Sequence, residues 1–189
     1  MSLVPAFQVG LWNAWIPMLL ELLTFPLFFR VAKDRAPEAE SHSVAALPKV
    51  KRTLLYSSKA IYVPAFVYSI FLPLKLGTVW FSIGLPITVI GFVSGIVVIA
   101  NWAVSPRGEP VTTGLYRYSR HPMYVTAFVF FLGISIATAS WVFLLFTVVL
   151  IAASFYFAAL EEDGCLTQYG DAYRVYMNRT PKYMGIPKS

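Results

Sequence analysis

Five stretches of this chain are long and apolar enough, or nearly so, to cross the hydrocarbon core of a bilayer, and nothing else constrains its fold as much. They run from about Leu11 to Phe29, Leu54 to Leu74, Val79 to Val104, His121 to Thr138 and Trp141 to Leu160. A spanning helix needs about 20 mainly apolar residues. The fourth stretch has the fewest, and Ala139 and Ser140 leave room only for a tight hairpin into the fifth. Composition agrees: 58% of the residues are hydrophobic and 13% charged, against roughly 25% charged in an ordinary soluble domain. Disorder, a collagen helix and a disulfide scaffold are excluded. The expected fold class is an all-α integral membrane protein with about five transmembrane helices.

The basic residues fix an expected orientation. The segment between the first two stretches carries Arg30, Lys33, Arg35, Lys49, Lys51 and Arg52. The segment before the fourth carries Arg107, Arg117 and Arg120, and the C-terminal tail Arg174, Arg179, Lys182 and Lys188. These alternate segments hold 13 of the 15 Lys and Arg. By the positive-inside rule they face the cytosol, which puts the N-terminus outside and the C-terminus inside. Topology explains the net charge of +6 without a nucleic-acid partner. No Lys or Arg precedes Arg30, so the first stretch lacks the basic start of a signal peptide and reads as a retained helix. The single cysteine, Cys165, permits no internal disulfide, and with only His42 and His121 beside it no His/Cys metal cluster is expected.

Inside the stretches, Gly91 and Gly95 form a GxxxG that favours close helix packing. Pro17, Pro26, Pro64, Pro73 and Pro86 mark kinks or helix ends. Glu21, near the middle of the first stretch, is a functional candidate as an ionisable residue in a span. The bland alternative is pairing with Lys59 or protonation in place.

Two polar patches hold most of the remaining chemistry. In the first, running from Thr112 to Tyr124, Pro122 is placed to start a helix with His121 at its N-cap. A helix N-terminus beside Arg120 and His121 makes a seat for an anion such as a carboxylate. An Arg/His/Tyr belt at the membrane interface explains the same residues equally well. The second patch is Glu161-Glu162-Asp163. Three adjacent acids repel unless a cation lies between them, so either a cationic ligand or a solvated helix end is indicated. Beyond it, Leu166, Tyr169, Tyr173 and Tyr176 follow helical spacing and predict one face of an interfacial helix.

RHPMY at 120–124, followed about 37 residues later by EE, L and YGxxYxxYxxRxP, resembles the isoprenylcysteine carboxyl methyltransferase family and the wider group that includes phospholipid and small-thiol methyltransferases. The likeness covers Asn101 to Pro181. It implies a division into residues 1–104, three helices with a cytosolic loop at 30–53, and residues 105–189, a catalytic half whose C-terminal helix folds over a cofactor site. The implied cofactor is S-adenosyl-L-methionine, with S-adenosyl-L-homocysteine as product. Carried over by position, the likeness puts Asn101, Val111, Leu115, Tyr116, His121, Pro122, Met123, Tyr124 and Glu161 on the cofactor, and no metal. Eukaryotic members carry an Arg four residues before the first Glu, where this chain has Phe157.

The implied reaction is methylation of the carboxylate of a prenylated cysteine or related lipidic acid, drawn from membrane lipid. Such a nucleophile is already ionised and needs no general base. Arg179, with Arg120 and Arg174 in reserve, is expected to orient that carboxylate, and Glu162 to help position the cofactor. No GxGxxG follows a strand, so a Rossmann-type cofactor domain is excluded. N-methylation of a phospholipid amine or S-methylation of a small thiol is the rival within the group. A non-catalytic transporter or assembly protein is the rival outside it, but it requires polar residues lining several spans, and only Glu21, Lys59 and Asn101 qualify.

Overall fold

The computed structural model describes residues 7–43 and 62–188. Among the described residues six α-helices follow in order: α1 (Trp15–Ser43), α2 (Tyr62–Ile70), α3 (Val79–Val104), α4 (Pro122–Ala137), α5 (Trp141–Tyr169) and α6 (Asp171–Arg179), with a 3-10 turn at Gly114–Arg117 between α3 and α4. Among the described residues the sole β pairing is an isolated bridge between Asn13 and Pro73.

Local chemistry accounts for the boundaries. Thr78 caps α3 by accepting from the Phe81 amide at 3.5 Å. His121 occupies the N-cap of α4 with Pro122 at its first position, as the sequence predicts. The expected tight hairpin is also present: Ala139 takes a φ of 50°, and Ser140 caps α5 by accepting from the Phe143 amide at 3.2 Å.

The helices alternate in direction. At one end, the Lys75 amide donates to the Ala137 carbonyl, and Gln8, Ala14 and Leu74 amides join the segment before α1 to the one after α2. At the other end, Phe28 of α1 stacks on Trp102 of α3 with ring centroids 5.3 Å apart, and α4 begins where α5 leaves the bundle. The buried core gathers Met18, Tyr68, Leu72, Phe130, Phe131, Ile134 and Phe143.

Helices α3 and α4 lie closest together. A Cβ added at Gly91 would strike the Phe130 backbone, one at Gly84 the Ala137 backbone, and one at Gly133 the Thr88 backbone. Only Gly91 of the expected GxxxG is at this contact; an added Cβ at Gly95 would rest 3.7 Å from the Thr126 hydroxyl, an ordinary distance. The closest positions of α3 are therefore Gly84, Thr88 and Gly91, spaced four and three, with the two glycines seven apart.

Two helices, α3 and α5, are long and apolar enough to cross a membrane. Their most apolar windows are only 28% and 22% buried, the reverse of a soluble core helix, so a nonpolar solvent must cover the rest. With 16 residues, α4 reaches about 24 Å, short of the roughly 30 Å core. Five crossings thus rest on sequence for the others.

Three expectations need correction. Helix α1 continues to Ser43, through part of the segment expected as the loop at 30–53. Helix α5 continues past Leu160, so Glu161, Glu162 and Asp163 lie on it rather than after it. Leu166 and Tyr169 close α5, whereas Tyr173 and Tyr176 lie on α6, because Gly170 at φ 53° breaks the helix between them. The start of the second stretch, with Lys49, Lys51, Arg52 and Lys59, lies outside the described residues, and with it the expected Glu21–Lys59 pair.

Candidate functional site

The two polar patches meet. Because α4 starts at the level where α5 carries its acids, residues distant in the chain come together: His121 Nε2 lies 3.2 Å from Glu162 Oε1, and His121 Nδ1 lies 3.3 Å from Glu161 Oε2. Arg120 Nη2 reaches the same Glu162 Oε1 at 3.0 Å. Lys182 Nζ, from the segment after α6, takes Glu162 Oε2 at 3.0 Å. The anion at this helix N-terminus is thus the protein's own carboxylate pair. Repulsion between the acids is offset at Glu162 by the Arg120 guanidinium and the Lys182 ammonium.

The two glutamates are not equivalent. Glu162 is 11% exposed and faces Arg120, His121 and Lys182. Glu161 is 48% exposed and is touched by His121 and by the Tyr124 hydroxyl, which donates to Oε1 at 2.6 Å. Asp163 is exposed. A buried carboxylate with three basic neighbours is a structural clasp, and a half-exposed one at its edge remains accessible to a ligand.

The segment after α6 closes this end. The Arg120 amide donates to the Pro181 carbonyl at 3.0 Å, the His121 amide to the Lys182 carbonyl at 3.3 Å, and the Gly185 amide to the Tyr118 carbonyl at 3.1 Å. Arg120 Nη1 donates to the Met177 carbonyl at 3.2 Å. From α6, the Tyr176 hydroxyl donates to the Tyr116 carbonyl at 2.7 Å. Tyr173 and Tyr176 are buried and pack edge to face with centroids 5.7 Å apart. Burial pushes both phenols up, so each stays a neutral donor. They turn inward and are not exposed membrane anchors.

The other expected residues fall into two groups. Asn101 accepts from the Leu115 amide at 3.0 Å and so pins the 3-10 turn, which contains Tyr116, to the end of α3; Gly114, at φ 61°, lies against the Asn101 side chain. Val111, Leu115, Tyr116 and Met123 are half-buried and Pro122 is buried. Arg174 and Arg179, by contrast, are exposed on α6. Arg174 pairs with Asp171 at 3.7 Å, and neither arginine shares a hydrogen bond or ion pair with the cluster. Of the three expected carboxylate-orienting arginines, only Arg120 lies within it. Phe157 is buried.

Lys182 and Tyr183 were not singled out from sequence. Beside Tyr124 a narrow apolar cleft opens between α2, α4 and α5, lined by Tyr62, Phe128, Phe131, Leu150 and Ile151 among others. Two buried side-chain atoms near the cluster, Arg120 Nε and the Tyr183 hydroxyl, lack hydrogen-bond partners.

Residues 99–172 match the family model for phospholipid methyltransferase. A protein-S-isoprenylcysteine O-methyltransferase of Schizosaccharomyces pombe is 37% identical over 78 residues, covering 41% of this chain and 32% of that protein. The C-terminal half resembles these methyltransferases. The chain spans about a third of the length of that curated relative, and the likeness read from RHPMY and the acid pair holds over the region containing both. No solved structure matches the chain. In the methyltransferase-like half, both matched patches contribute to one cluster, while Lys182 lies outside the matched residues.

The likeness implies S-adenosyl-L-methionine, and the residues fit its charges. Glu161 presents a half-exposed carboxylate to a cation. Arg120 keeps a buried Nε–H without an acceptor, available to an anionic group.

Proposed function

We propose that this chain is an S-adenosyl-L-methionine-dependent methyltransferase of the membrane, acting on the carboxylate of a prenylated cysteine or a related lipidic acid. The observation that carries the reading is the joining of Arg120, His121 and Tyr124 to Glu161 and Glu162, all inside the region similar to known methyltransferases.

When bound, the cofactor supplies a methyl group on a cationic sulfur. Glu161 holds the ligand's positive end, and Tyr124 and His121 fix the direction of that carboxylate. The half-buried residues Val111, Leu115, Tyr116 and Met123, with Asn101 bracing their turn, wall the cofactor. Glu162, clasped by Arg120 and Lys182, keeps the segment after α6 closed over this end and excludes water. The reacting oxygen, carbon and sulfur must lie in line, and positioning is the chief contribution these residues make. The cleft beside Tyr124 gives a lipid chain an apolar approach from the bilayer, with its polar end at the cluster. On this reading the cluster lies at the cytosolic face, the N-terminus lies outside, and nucleic acid is not a partner.

The test uses the purified protein in detergent with methyl-labelled S-adenosyl-L-methionine and a farnesylated cysteine analogue. Label released as volatile methanol on alkali treatment identifies a methyl ester, and Glu161→Ala should abolish it. Alkali-stable label would instead support the N-methylation suggested by the phospholipid family name, or S-methylation of a thiol. Absence of both cofactor binding and product would refute the enzyme reading and leave a non-catalytic membrane role.

A further inference from the structure

We propose that Tyr183 is a ligand-binding residue: its hydroxyl and the Nε–H of Arg120 are two donors of one seat for a carboxylate. This rests on the methyltransferase reading for the identity of the ligand. The geometry comes from the segment after α6. Hydrogen bonds on either side of Tyr183, from His121 to the Lys182 carbonyl and from Gly185 to the Tyr118 carbonyl, hold its backbone against the start of α4. Its ring packs edge-on to Phe155 at 4.7 Å and lies 6.3 Å from the His121 ring. The chain is therefore fixed on both sides of Tyr183, and its hydroxyl is buried.

A buried donor without an acceptor costs about 1–3 kcal/mol, and native proteins keep few of them. Among the described residues three buried side-chain atoms lack a partner, and two are Arg120 Nε and the Tyr183 hydroxyl. The third, on Tyr68, is in the core near the opposite end of the bundle. Arg120 holds Glu162 through Nη2, and Tyr183 directly follows Lys182, which holds the other oxygen; those oxygens face Arg120 Nη2, His121 and Lys182, and neither unpaired donor is among their partners. A phenol O–H and a guanidinium N–H in one cluster suit an acceptor with two oxygens and a negative charge, which is a carboxylate. S-adenosyl-L-methionine and a prenylated cysteine each carry one.

Tyr183→Phe removes a single oxygen and keeps the packing on Phe155. In the full-length protein, two affinities decide the matter: binding of S-adenosyl-L-homocysteine by calorimetry, and the KM for N-acetyl-S-farnesylcysteine. About a tenfold loss of S-adenosyl-L-homocysteine affinity, with binding of its decarboxylated analogue unchanged, would assign the seat to the cofactor's carboxylate. About a tenfold rise in KM for the acceptor, with S-adenosyl-L-homocysteine affinity unchanged, would assign it to the acceptor's. Arg120→Lys, which keeps a charge for Glu162 but has no Nε, should shift the same affinity. Tyr183→Phe with both affinities unaltered overturns the proposal, as does an equal loss for the decarboxylated analogue. A wild-type protein that binds neither probe overturns the methyltransferase reading itself, and the seat assignment with it.

Discussion

Adjacent glutamates in one helix turn do different work because their surroundings differ. Removing a partner from a buried charge set leaves the others uncompensated and costs about 3–5 kcal/mol, whereas exposed pairs contribute about 1 kcal/mol or less. Glu162→Ala should therefore lower the thermal midpoint in detergent clearly, and Glu161→Ala should leave it nearly unchanged while removing cofactor binding. Equal midpoints for the two variants would contradict the division. The acid pair and RHPMY were legible in the sequence because a family likeness joined them, and helix-start chemistry placed His121 and Pro122 correctly. The same reasoning indicates a cationic ligand or a solvated helix end for the acids, whereas Glu162 already has positive charge beside it. Arg120 and Lys182 supply it from the chain itself. Lys182 and Tyr183 leave no periodic or motif signal, because their importance lies in contacts with residues distant in the chain, on α5 and at the start of α4. Arg174 and Arg179 had the right charge, but helical geometry turns them to the surface.

Glycine decides two matters between elements. The bounds of α3 agree with the sequence reading because Thr78 and the end of the apolar run are local signals. The seam between α3 and α4 was only half legible, since GxxxG names a spacing and not the partner that fills it. Gly91→Ala should destabilise the bundle by about 1–3 kcal/mol, because its methyl would meet the Phe130 backbone rather than a movable side chain. Gly95→Ala should be near neutral. Thermal unfolding of the two variants in the same detergent tests the pair, and an equal effect would contradict the close approach. At Gly170, helical spacing predicted one continuous face from Leu166 to Tyr176, but a positive φ ends α5 there. The punctuation was in the sequence, as a glycine followed by Asp171 at a helix start, and the periodicity masked it.

For the whole molecule, the alternation of helix directions puts Leu76 and Arg107 at opposite ends. Both are exposed, and the positive-inside reading assigns them to opposite faces. With Cys165→Ser removing the lone thiol, Leu76→Cys in intact cells should react with a membrane-impermeant maleimide. Arg107→Cys should react only after permeabilisation. Labelling of both from outside would break the five-span orientation. The membrane class was legible from the apolar stretches alone, but α1 running through an expected loop was not, since polar sequence does not forbid a helix.

The glycine seam also has a mechanical meaning. Backbone packed on backbone gives two rods almost no freedom to slide or part, so α3 and α4 move as one body. His121, Pro122 and Tyr124 ride on that body. Glu161 and Glu162 ride on α5, which is tied to α4 by a three-residue hairpin at the far end and by side chains elsewhere. A ligand that parts the acids from the start of α4 must therefore move α5 or the segment after α6, because α3 and α4 stay together. The body that stays together carries Arg120 and His121 at the start of α4, the acids ride on α5, and Lys182 joins the two from the segment after α6.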